Sequence, residues 1–98
     1  MENKSDIISL SENDGDLHIC VNDVKVIELN KNNNKIDTKK IYEKLNLCDN
    51  YVLEINICDE PKNKELFVLH KYTKEFLTKL KDAINAIDYN EINEQLDQ

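Results

Sequence analysis

Arginine and tryptophan are missing from this 98-residue chain, and glycine and proline occur once each. Each shortage excludes a class of chemistry. Bidentate grips on phosphate and carboxylate are mostly made by arginine, so every basic contact here is a lysine point charge. With Gly15 as the sole glycine, neither the phosphate loop G-x-x-x-x-G-K-[ST] nor the dinucleotide fingerprint G-x-G-x-x-G can be written. Asn34-Lys35-Ile36-Asp37 spells the N-K-x-D pattern of guanine-nucleotide-binding proteins, but it stands without the phosphate cradle that such a site requires. No apolar run approaches the roughly 20 residues of a membrane span, and the N-terminal stretch MENKSDIISL lacks a signal peptide's apolar segment. Tyr51 is the one tyrosine in a predicted strand, on its core face, so no stacking platform for RNA is expected.

Cysteine is scarce and odd in number: Cys20, Cys48 and Cys58. Without a secretion signal, reduced thiols are expected, and with them a cytoplasmic location (the host cytoplasm for a viral chain). Nucleophilic catalysis needs a base beside a thiol, and His18 and His70 are the only histidines. No carboxylate stands in an apolar setting that would raise its pKa; Glu54, between Leu53 and Ile55, falls on the wetter face of its strand. The expectation is therefore a protein that is not an enzyme and holds no cofactor and no metal. His18 and Cys20 project to the same strand face, with Cys58 across the sheet as a third ligand. That defines an alternative reading, a small metal or redox module, without C-x-x-C or H-x-x-x-H spacing to support it.

What the chain has in excess is acid, unevenly placed. The net charge is −7. Residues 1–30 carry a net of −5, residues 31–81 a net of +3, and residues 82–98 a net of −5 with no base at all. This balance argues against direct contact with nucleic acid or an anionic membrane.

Hydropathy patterning defines the elements. Asp16–Asn30 alternates, with Leu17, Ile19 and Val21 inward and His18 and Cys20 outward. Asn22-Asp23 fits a two-residue hairpin turn that pairs Val21 with Val24 and Ile19 with Val26; the pattern slips at Ile27 and Leu29, the mark of a bulge. After the polar, mobile loop Asn30–Lys35, Asp37 caps a helix ending near Asn46, stapled by Ile36 and Ile41, with Ile41, Tyr42 and Leu45 inward. Tyr51–Cys58 is the clearest strand. Asp59–Lys64 reads as a hairpin loop into a central strand at Leu66–Leu69. Thr73 then caps a second helix, stapled by Tyr72 and Leu77, with Phe76, Leu77, Leu80, Ile84 and Ile87 inward; Asp88 with Glu91 resembles a further capping box.

The expected architecture is α+β: an antiparallel sheet of four to five strands with two helices on one face, in ββα–ββα order, with the hint of an internal duplication. Residues 1–98 form one domain, in which residues 1–15 are a mobile arm or an extra strand at Ile7–Leu10, and residues 88–98 are an acidic C-terminal segment.

By elimination the expected function is a small acidic interaction protein. It would bind a protein partner with a basic surface, such as a nucleic-acid-handling enzyme, and inhibit or regulate it. Small acidic inhibitors of phages and mobile elements share this size and charge balance. The expected contacts are Glu12, Asp14 and Asp16 at one end and Asp82, Asp88, Glu91, Glu94 and Asp97 at the other. A self-assembling structural subunit, in its simplest form a homodimer, is the second reading.

Overall fold

The computed structural model describes residues 5–47 and 51–86. Six elements follow in the order β1 (Ser5–Asn13), β2 (Asp16–Val21), β3 (Val24–Leu29), α1 (Thr38–Lys44), β4 (Val52–Ile57) and α2 (Lys64–Ala86). The four strands form one sheet in the order β3-β2-β1-β4. The α+β class expected from the sequence is present; the wholly antiparallel sheet and the ββα–ββα order are not. β1 pairs antiparallel with β2, and β2 with β3, but β1 and β4 run parallel. Parallel neighbours cannot be joined by a tight turn, so β2, β3 and α1 together carry the chain back to the start of the sheet.

Two mirror-type turns build the meander. Asp14 (φ 52°) with Gly15 (φ 85°) joins β1 to β2, and Asn22 (φ 51°) with Asp23 (φ 69°) joins β2 to β3, as the asparagine–aspartate pair predicts. Of the two alternatives for the N-terminal stretch, the strand at Ile7–Leu10 is present and longer than expected: β1 spans nine residues and is central in the sheet, with Ile8 and Leu10 buried. The bulge expected near Ile27 is present. Register shifts between Ile19 and Cys20, so Ile19 faces Ile27 rather than Val26, and Val26 is the additional residue.

α1 begins as predicted. Asp37 accepts from the Lys40 backbone N–H at 3.3 Å, Ile41 is buried, and Ile36 packs against the core. Tyr42 instead faces solvent, because a seven-residue helix turns only Ile41 and the following Leu45 inward. The asparagine loop before it is tied by its own hydrogen bonds rather than left loose. Asn30 and Asn33 exchange backbone bonds, and the Asn30 side chain accepts from Asn32 and Asn33 N–H.

The largest departure is α2. Residues 66–69 are not a strand, Thr73 is not a cap, and Tyr72 with Leu77 is not a staple: a single helix of 23 residues runs from Lys64. Asn63 starts it, its side chain accepting from Glu65 N–H at 2.8 Å and its carbonyl from Phe67 N–H at 2.9 Å. Leu66, His70, Thr73, Leu77, Leu80 and Ile84 form its buried stripe, and Tyr72 is 56% exposed. Thr73 sits in the helix interior and donates its hydroxyl to the Leu69 carbonyl at 2.7 Å. The second ββα unit, and with it the duplication, is absent. Both helices contribute to one core with the inward residues of all four strands. Ile87 and the Asp88–Glu91 capping box lie outside the described residues.

Asp6 closes the fold. Its carboxylate, on a residue 3% exposed, accepts from Asn46 N at 2.7 Å, Asn46 Nδ2 at 3.4 Å, Asn22 Nδ2 at 2.8 Å and Tyr51 Oη at 3.1 Å. One carboxylate thereby joins the start of β1, the β2–β3 turn, the exit of α1 and the approach to β4. At the other side of β4, Asn85 of α2 accepts from Leu53 N–H at 3.0 Å and donates to the Leu53 carbonyl at 3.1 Å.

Candidate functional site

The helices cover one face of the sheet and leave the other polar. On it lie Ser9 and Ser11 from β1, Asp16, His18 and Cys20 from β2, Lys25 and Glu28 from β3, and Glu54 and Asn56 from β4. The alternation of each strand puts them there, as the sequence predicted for His18, Cys20 and Glu54.

Within this face, Asp16, His18 and Glu28 converge, each offering one ligating atom within 4.8 Å of the others. His18 Nε2 lies 3.6 Å from Glu28 Oε1, and the His18 side chain is only 13% exposed. The second Glu28 oxygen faces Lys25 Nζ at 3.7 Å. A side-chain hydrogen bond between Asp16 and Glu28 shifts the two carboxyls apart: it raises Asp16 above the usual aspartate value and, with the Lys25 charge assisting, lowers Glu28. The pairing depends on the bulge. In an unbroken ladder Ile27 would stand opposite His18; the additional residue puts Glu28 there.

The triad of the alternative reading, His18, Cys20 and Cys58, is not assembled. Cys20 lies on β2 and Cys58 follows β4, with β1 between them, a separation of two strand spacings, about 10 Å. Cys20 and Cys58 are free thiols. Burial pushes both upward in pKa, reinforced by the charge of Asp23 at Cys20 and of Glu12 and Asp59 at Cys58, so each is held protonated at neutral pH. Cys48 lies outside the described residues.

The acidic residues divide differently from the sequence picture. Glu12, Asp14 and Asp16 cluster at the β1–β2 hairpin, Glu12 and Asp14 exposed and Asp16 half-buried. Because β4 runs parallel to β1, its end arrives at the same place: Cys58 N–H donates to the Leu10 carbonyl at 2.8 Å. Glu12 therefore shares a shallow depression with Asp59 and Glu60. Those two acids carry no local mark in the sequence, since only the long-range parallel pairing recruits them. Asp82 is exposed near the far end of α2, beside Lys81. Asp88, Glu91, Glu94 and Asp97 lie outside the described residues.

On the helix side, Lys31, Glu65, Val68, Leu69 and Tyr72 line an open groove of about 680 Å³. Its charged groups are Lys31 and Glu65, 4.0 Å apart in an exposed ion pair. His70, expected at a strand end, is in α2 and closed off at 1% exposure, donating from Nε2 to the Cys58 carbonyl at 2.9 Å. No helix among the described residues is long and apolar enough to cross a membrane.

No protein-family model, no curated protein and no solved structure matches this chain. Its chemistry has to be read from its own residues.

Proposed function

We propose that this protein is a small acidic, non-catalytic interaction module. Its hairpin end docks on a basic surface of a protein partner, which it inhibits or regulates. The observation that carries the reading is that Asp59 and Glu60 share one shallow depression with Glu12, with Lys62 the base in its lining, at the end of β1 where the hairpin acids Asp14 and Asp16 follow in sequence. A concentrated negative end on a chain of net charge −7 accelerates encounter with a positive surface. Extended basic surfaces are characteristic of proteins that handle nucleic acid, which makes such a protein the class of partner.

The non-catalytic part of the reading draws on the protonated thiols of Cys20 and Cys58 and on the enclosure of His70. Asp82 and the acids of residues 88–98 are secondary contacts in this proposal. The test compares the parent chain with a variant carrying Glu12→Lys, Asp14→Lys, Asp59→Lys and Glu60→Lys, using each to capture partners from the native cell at low and high salt. Proteins retained by the parent at low salt and lost by the variant are expected, with association at least roughly tenfold slower for the variant. Identical capture by both proteins removes the proposal.

A further inference from the structure

We propose that Asp16, His18 and Glu28 bind one first-row divalent cation of the zinc class on the polar face of the sheet. The argument begins with donor type. One imidazole nitrogen and two carboxylate oxygens suit zinc, cobalt, manganese or ferrous ions, whereas calcium and magnesium prefer oxygen alone. Geometry agrees. Two ligands about 2.1 Å from a metal and roughly 110–120° apart are themselves separated by about 3.5 Å. His18 Nε2 and Glu28 Oε1 stand 3.6 Å apart, too far for a hydrogen bond and close to that spacing. Asp16 completes the three, its ligating oxygen inside the same 4.8 Å group.

The scaffold is built for constancy. Asp16 and His18 are two apart on β2, so their side chains share a face, and Leu17 and Ile19 between and beside them are fully buried. Glu28 stands directly across on β3, between buried Ile27 and Leu29. His18 has little freedom, being mostly covered, while Glu28 is open enough to admit solvent to the remaining metal positions. Lys25 faces the outer Glu28 oxygen and is itself half exposed, so it can withdraw as the cation arrives, and the proton shared between Asp16 and Glu28 is what the cation replaces.

Isothermal titration of the purified full chain with zinc and with cobalt tests the assignment, with circular dichroism confirming that each variant is folded. One-to-one binding is expected. Asp16→Asn, His18→Gln and Glu28→Gln should each weaken it at least roughly tenfold, the size of loss seen even when a mere supporting partner of a ligand is removed. Cys20→Ser should leave it unchanged, and the cobalt complex should show no sulfur-to-metal charge-transfer band. Absence of binding at millimolar metal, binding that survives His18→Gln, or preference for calcium would each overturn the site. The charge-reversal variant used for the docking proposal leaves these three residues intact, so the two ideas fail separately.

Discussion

Replacing Asp6 by alanine tests the account of the fold most directly. The carboxylate accepts four hydrogen bonds, and among the described residues no cation pairs with it. Asn22 and the Asn46 side chain can turn to water when it is removed. The hydroxyl of buried Tyr51 loses its charged acceptor, and the Asn46 backbone N–H loses the bond that ties the exit of α1 to β1. Hydrogen bonds to a charged group contribute about 1.5–3 kcal/mol each, so with the bonds from Tyr51 and the Asn46 N–H lost Asp6→Ala should cost roughly 3–4 kcal/mol. A domain of this length has about 5–15 kcal/mol in all. With a urea dependence of about 1 kcal/mol per molar, the unfolding midpoint should fall by roughly 3 M. Equilibrium urea denaturation followed by circular dichroism measures it, and a loss below about 1 kcal/mol would refute the claim that Asp6 closes the fold.

The same substitution has a pH signature. Burial alone would raise the Asp6 pKa; the bonds from Asn46, Asn22 and Tyr51 outweigh it and leave the folded carboxyl below the ordinary 3.8. The unfolded chain therefore takes up this proton first as pH falls. Asp6 stabilises fully above the unfolded value, and its contribution disappears as pH drops through the lower, folded one. The stability difference between parent and Asp6→Ala should be constant from neutrality to about pH 5 and shrink below pH 4. A difference that widens with acid contradicts the assigned direction.

Other expectations follow from burial and register. Leu77 is fully buried in the α2 stripe, and Leu77→Ala should cost roughly 3 kcal/mol, a melting point lower by about 15 °C in calorimetry. Deleting Val26 takes out the additional residue while Ile27 still meets Ile19 and Leu29 still meets Leu17, so both side chains stay buried and stability should fall by less than the burial worth of one of them, about 1.5–3 kcal/mol; a loss of twice that in urea denaturation would show that the register is not fixed as described. In a Cys48→Ser background, Cys20 and Cys58 should react with a thiol reagent more slowly than a free cysteine at pH 7.5, with rates climbing only above pH 9.

How much of this was legible follows from where the information lies. The β2–β3 hairpin and α1 were readable because their signals are local: Asn22-Asp23 for the turn, alternation around it, and Asp37 for the cap. α2 was misread because its buried stripe includes His70 and Thr73, polar residues whose bonds to the Cys58 and Leu69 carbonyls let them lie inside. With those two counted as outward, Leu66–Leu69 presents an apolar run without helical period. The parallel pairing of β1 with β4 leaves no local mark, since it joins residues 47 apart. Of the candidate cation site, Asp16 and His18 share a visible alternation, but Glu28 becomes their neighbour only through the bulge. Asp59 and Glu60 reach the acidic end only through the parallel strand.

The Asn85 side chain has a consequence for how this molecule meets others. A primary carboxamide offers the same donor and acceptor as a peptide group, and Asn85 spends both on Leu53. It is in effect a fifth strand one residue long, laid along the outer margin of β4 by a helix. A neighbouring chain seeking to extend the sheet there must first displace that amide and loosen the end of α2. On the opposite margin the Asn33 carboxamide occupies the Glu28 carbonyl at 3.1 Å. Side-chain amides thus act as stoppers at both ends of the sheet, and polymerisation through strand addition carries the cost of undoing them.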